Sequence, residues 1–179
     1  MSIERMQYLL AQITSKYFAF ATVVWANGAE VKAKVPFVTL KLGDPKRTAR
    51  YLVNEYGERY YQMSCTLEVN LYTEGAKVGM TYMNTAVPDL IDFANYVESD
   101  AVTERFSAED MSIIFNTVRD LSELVDARKY RYRAMAEFTL SFVTMADNIY
   151  GVSGNEGHSG GDGSNLSQNK IPVIEEVEI

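Results

Sequence analysis

The sequence predicts an α+β domain: a mainly antiparallel β-sheet with helices packed on one face, followed by a flexible C-terminal extension. Three observations carry this. Two long runs, Arg59 to Thr73 and Tyr130 to Val143, alternate apolar and polar residues with period 2, the signature of strands with one buried and one wet face. Two other segments, Ile3 to Tyr17 and Val87 to Val97, repeat apolar residues at three- and four-residue intervals, as amphipathic helices do. After Tyr150 the composition turns to glycine and serine, which cannot build a core.

Taken in order, Ser2 is placed to cap the first helix, whose apolar face is Ile3, Met6, Leu10, Ile13 and Tyr17. Thr22 to Trp25 is β-branched and aromatic and reads as a short strand, closed by an Asn27-Gly28 turn. Pro36 to Leu42 alternates, with the proline at a strand start, and Gly43-Asp44-Pro45 ends it. Residues 44–58 read as an exposed connection or hairpin excursion. In the next strand Tyr61, Met63, Cys65, Leu67, Val69 and Leu71 share the core face.

Glu74 to Thr85 reads as a loop. The second helix follows, with Thr85 as cap and Pro88 and Asp89 in its first turn. Ser107 to Asp110 resembles a capping box, yet Met111 to Val118 is favoured as a strand. A turn-rich connection from Val118 then feeds the last strand. There Tyr130, Tyr132, Ala134, Ala136, Phe138, Leu140 and Phe142 share a face, and Arg131, Arg133, Glu137, Thr139 and Ser141 the other. The alanines leave room for a helix, and pairing with 59–73 is expected.

The expected organisation is a domain over 1–150, a Gly/Ser-rich linker over 151–169 and a β-prone arm over 170–179. In the arm, Ile171, Val173, Val177 and Ile179 alternate onto one face, interrupted by Glu175. A 19-residue linker has a coil span of roughly 25 Å and a stretched reach of about 60 Å. The arm reads either as disordered, tag-like sequence or, as favoured here, as a strand added to another subunit or partner, which the linker is long enough to reach.

The net charge is −7, and residues 151–179, with five acids against Lys170, carry −4 of it. An acidic balance weighs against a duplex-binding surface. One cysteine, Cys65, rules out an internal disulfide, and on a strand's core face it reads as a core thiol. Met1 to Leu10 lacks a long apolar stretch, so a signal peptide is not expected, and Tyr17 to Ala26 is too short to span a bilayer.

Catalytic chemistry has no foothold. His158, the only histidine, stands among glycines with no second ligand or orienting partner. The pairs Glu109-Asp110 and Glu175-Glu176 read as solvated charge. The glycines at 154, 157, 160, 161 and 163 lack the strand, helix and Lys-Ser/Thr of a phosphate loop. No catalytic residue, metal site or cofactor is expected. The interleaved Arg128 to Arg133 offers a nucleic-acid reading, because aromatics stack bases. Alternation instead points Arg131 and Arg133 to the open face, to pair with Glu68 or to meet acids of a neighbouring subunit. The candidate interface residues are thus Arg131, Arg133, Ile171, Val173, Val177 and Ile179.

The layout resembles the tail terminator (neck terminator) proteins of tailed bacteriophages. The resemblance rests on Asn27-Gly28 after a short strand, PFVTLKLG at 36–43, YYQMSCTLEVNLYTEGA at 60–76, the helix from Val87, and VRDLSELVDARKYRYRAMAEFTLSFV at 118–143 with its Arg133-Ala134 step. It covers roughly residues 1–146; the glycine-rich tail and IPVIEEVEI depart from the pattern. It implies a virion structural protein, not an enzyme: a ring, expected to be a hexamer, that caps the tail tube, stops its polymerisation and joins tail to head. The implied partners are copies of itself, the tail tube protein and a head completion or connector protein, with assembly in the host cytoplasm and no membrane. DNA would pass through without specific binding; six copies at −7 sum to −42, and an acidic lumen repels phosphate. The competing readings are a tail tube or other tail subunit, a small-molecule-binding or enzymatic host domain, and a nucleic-acid-binding module.

Overall fold

In the computed structural model, the structure describes residues 2–26, 33–55, 59–126 and 129–145. The chain begins with α1 (Ile3–Tyr17), whose first turn is closed by the Ser2 hydroxyl accepting the Arg5 N–H at 3.2 Å. Met6, Leu9, Leu10 and Ile13 form its buried stripe. Next come β1 (Thr22–Trp25) and β2 (Phe37–Leu42), which pair in parallel. The Asn27-Gly28 turn lies outside the described residues.

The long strand β5 (Arg59–Thr73) coincides with the alternating run that predicts it. Two short strands precede it, β3 (Lys46–Arg47) and β4 (Leu52–Val53). Both pair with β5, at Ser64–Met63 and Tyr60–Arg59, while β2 pairs with it from Tyr72 to Leu67. Residues 37–53 therefore run beside β5 as one interrupted strand, and the 46–53 part forms a hairpin arm against the first half of β5, as the hairpin reading of this segment expects. The exposure expected of this segment holds: every residue from 45 to 53 is exposed.

Glu74 to Thr85 is not a plain loop. It folds back as β6 (Ala76–Val78) and β7 (Thr81–Met83), a two-stranded hairpin. Gly75 at φ +77° admits the bend, and a side chain there would strike the Met83 carbonyl and the Tyr132 ring. Helix α2 (Ala86–Val97) follows. Thr85 holds the cap position, but the Asn84 side chain does the capping: its Oδ1 accepts the Ala86 N–H at 3.0 Å.

A further helix, α3 (Asp100–Ser107), occupies residues that sequence reading left unassigned. Ser107 to Asp110 is its C-terminal turn, with the Ala108 and Glu109 N–H groups bonded back to Glu104 and Phe106; the resemblance to a capping box opens no helix there. Strand β8 (Met111–Asp120) follows as favoured. The expected turn-rich connection is shorter: Leu121 and Ser122 lead to β9 (Glu123–Asp126), which pairs with the start of β10 (Lys129–Met145).

The sheet order is β1-β2-β5-β10-β8, all antiparallel apart from β1–β2. Strand β10 pairs with β5 from Tyr132↔Thr73 to Met145↔Tyr60. The three helices lie on one face. They bury Cys65, Leu67, Val69 and Leu71 of β5 and Ala134, Ala136, Phe138, Leu140 and Phe142 of β10. Fully burying side chains of this size is worth about 1.5–3 kcal/mol each for the larger ones. Ala134 and Ala136 are wholly buried, as expected where a helix approaches closely. An aromatic column runs through the core: Phe18 to Phe93 at 5.0 Å, Phe93 to Phe138 at 6.0 Å, and Phe138 to Phe115 at 5.6 Å.

Candidate assembly surfaces

Sheet alternation puts Arg131 and Arg133 on the face away from the helices, but neither reaches Glu68. Arg131 Nη1 lies 3.4 Å from Glu123 Oε1 of β9. Arg133 donates to Asn70 Oδ1 through Nη2 at 2.9 Å and Nε at 3.3 Å, and its guanidinium sits 5.2 Å from the Tyr72 ring centre. Tyr72 in turn stacks on Phe37 at 4.3 Å. Glu68 takes Lys41 instead, at 3.6 Å, because Lys41 is its register partner on β2. Arg133 is thus built into a Phe37–Tyr72–Arg133–Asn70 cluster, with Asn70 only 5% exposed. The residues Ile171, Val173, Val177 and Ile179 lie outside the described residues, as do His158 and the 151–169 segment.

Cys65 is buried, and burial pushes its thiol up to about 11, so the reactive thiolate is scarce near neutral pH. Glu109 is not free solvated charge: it pairs with Arg5 of α1 at 2.6 Å, and the hydrogen bond from Arg5 holds its carboxyl below the usual range. Among the described residues, no group of three or more His, Cys, Asp or Glu is placed to hold a metal ion. No helix among them is long and apolar enough to cross a membrane.

Two exposed features stand at opposite ends of β5. At the Thr73 end is the β6–β7 hairpin. The Tyr132 hydroxyl donates to the Tyr82 carbonyl at 3.0 Å and fixes it to the sheet. Val78, Met80, Tyr82 and Met83 are more than half exposed, Met80 completely. Its base is flanked by Asp120, which accepts from the Ser122 hydroxyl, the Ser122 N–H at 2.9 Å and Asn84 at 3.1 Å. These bonds hold its carboxyl below the usual carboxylate range, the Ser122 hydroxyl most of all.

At the Arg59 end are β3 and β4. Leu52 and Val53 are 67% and 55% exposed. Arg47 sits 4.0 Å from the Tyr61 ring centre, and Arg59 4.8 Å from that of Tyr51. Among the described residues none of Lys46, Arg47, Arg50 and Arg59 makes a salt bridge. Sequence reading missed this surface. Its signal was the acid-free stretch KRTARYLV at 46–53.

These features define a scaffold that presents surfaces: a sheet, a packed helical layer, an exposed apolar hairpin at one end and apolar and cationic groups at the other. The chain matches the sequence profile of the phage neck terminator proteins over residues 6–162, and it belongs to that family. It is thus a structural protein of the phage tail and neck, where it meets other tail and head proteins. No curated protein matches the chain.

Proposed function

We propose that six copies close into a ring on the head-proximal end of the tail tube, stop its polymerisation and offer the surface on which the head docks. Membership of the neck terminator family is the observation that carries this reading. The placement of unlike surfaces at the two ends of β5 supports it. Cyclic rings need head-to-tail contacts between two different patches of one chain. One face of such a ring matches the last tube ring, and the other does not propagate it. The work is done by shape and interface energy, with no bond made or broken.

In this reading residues 1–150 form the ring body, 151–169 a linker and 170–179 an arm that adds a strand to a neighbour. DNA passes through without specific binding, assembly takes place in the host cytoplasm, and the ring stays in the virion neck. The test is the mass of the purified protein by light scattering, with negative-stain imaging alone and with tail tubes. The expected result is a closed ring, or a monomer that becomes a ring only on tube ends. Long tubes would make the chain a tube subunit. A monomer that ignores tube ends would refute the capping role.

A further inference from the structure

The outer edge of β3 and β4 is open. Among the described residues both strands pair only with β5. An unpaired edge is a template for another strand. This one bears Lys46, Arg47 and Arg50 and no acid between 46 and 53, a local charge of +3. Arg47, Thr48, Ala49, Arg50 and Tyr51 are all exposed along it. Exposed Leu52 and Val53 supply apolar area beside the cations.

The same chain carries a segment of matching chemistry. Residues 170–179, KIPVIEEVEI, combine alternating Ile171, Val173, Val177 and Ile179 with Glu175, Glu176 and Glu178, for a net −2. Opposite charges facing each other across strands attract, so glutamates of an added strand would complement these cations.

Chain geometry permits a neighbouring copy to supply the segment. Met145 is the register partner of Tyr60, which is itself the partner of Leu52. The chain therefore leaves β10 two strand spacings, about 10 Å, from its own β4 edge. The 19-residue linker 151–169 then precedes the arm. A coil of that length spans roughly 25 Å and reaches about 60 Å when stretched. A domain of this size is about 40 Å across, so the equivalent edge of an adjacent copy lies within moderate extension of the linker.

We propose that the β3–β4 edge is the docking site for residues 170–179 of a neighbouring copy, which add there as a strand held by glutamate–arginine pairs and apolar contact. The proposal rests on the ring reading for its supply of neighbours.

The test uses the full chain with Leu52→Cys and Val177→Cys together, oxidised with diamide and run on a denaturing gel without reductant. Each single variant serves as control. Light scattering of the same sample reports assembly separately. The expected result is a ladder of chains linked to one another, with the link falling at least several-fold in an Arg47→Glu, Arg50→Glu background. A fast-migrating monomer would show the arm on its own edge and overturn the exchange. A ring without cross-links would overturn the docking site while leaving the ring. Linked chains without a ring would uphold the docking site and refute the ring. No links and no ring would refute both. Tight binding of duplex DNA to this edge, lost in Arg47→Glu, Arg50→Glu, would assign the cations to phosphate and overturn the proposal.

Discussion

Arg133→Met separates a structural from an interfacial role for the most conspicuous cation of the sheet. Two hydrogen bonds onto Asn70 Oδ1, at 2.9 and 3.3 Å, would be lost, together with the guanidinium over Tyr72. Hydrogen bonds involving a charged group are worth about 1.5–3 kcal/mol, and a buried acceptor left unpaired costs about 1–3 kcal/mol. Asn70 is 5% exposed, so water does not readily replace the lost donors. Arg133 itself is half-buried, and solvent screening places the expected loss near the lower end, at about 2 kcal/mol. For a domain of this size that is a fall of about 4–8 °C in Tm. The assay is thermal and urea unfolding followed by circular dichroism at one fixed protein concentration, with a double-mutant cycle against Asn70→Leu. Coupling between the two sites should exceed about 1 kcal/mol. If Arg133→Met left Tm unchanged and only weakened assembly, Arg133 would be an interface residue and the cluster argument would fail.

Two further outcomes follow from the hairpin end of the sheet. Gly75→Ala should destabilise by more than about 1 kcal/mol, because the new carbon would clash with the Met83 carbonyl on a backbone of φ +77°. Gly79→Ala, with φ +63° but open space around it, should cost less; equal losses in unfolding experiments would rule out the steric explanation. The Asp120 carboxyl lies below its ordinary value of 3.8, so its contribution is present above that value and fades as pH falls through the folded-state value. Asp120→Ala should therefore flatten the stability curve below about pH 4 while lowering stability at neutral pH; a curve parallel to the parent's would count against the Ser122 and Asn84 bonds.

The parts of the fold legible in sequence are those with a long, one-sided pattern. β5 is readable because six apolar residues alternate from Tyr61 to Leu71 and the buried ones all face the helices. Helix α3 is not, because eight residues leave room for only Val102 and Phe106 on its buried face, too few to show a period. The β6–β7 hairpin hides for a related reason. Its strands are three residues long and exposed throughout, so nothing marks one side as core. Arg133 was readable as open-face but not as engaged. Its partner Asn70 is 63 residues away, and only the register of β10 on β5 brings the two together. Lys41 took Glu68 by the same logic, since cross-strand pairing favours the direct register partner. The β3–β4 edge went unread because an exposed cationic stretch gives no sign of whether it lies on a strand.

The pairing of β5 with β10 also sets how the molecule carries load. Fourteen residue pairs run in register from Tyr132↔Thr73 to Met145↔Tyr60, a ribbon about 44 Å long. The hairpin grows from the Thr73 end of β5, and the C-terminal extension leaves from the Met145 end of β10. Tension between those two points pulls the strands past each other lengthwise. The rungs are then stressed side by side rather than peeled one at a time, so slippage requires many of them to fail together. A pull on the extension while the hairpin is gripped meets the stiffest direction the sheet has.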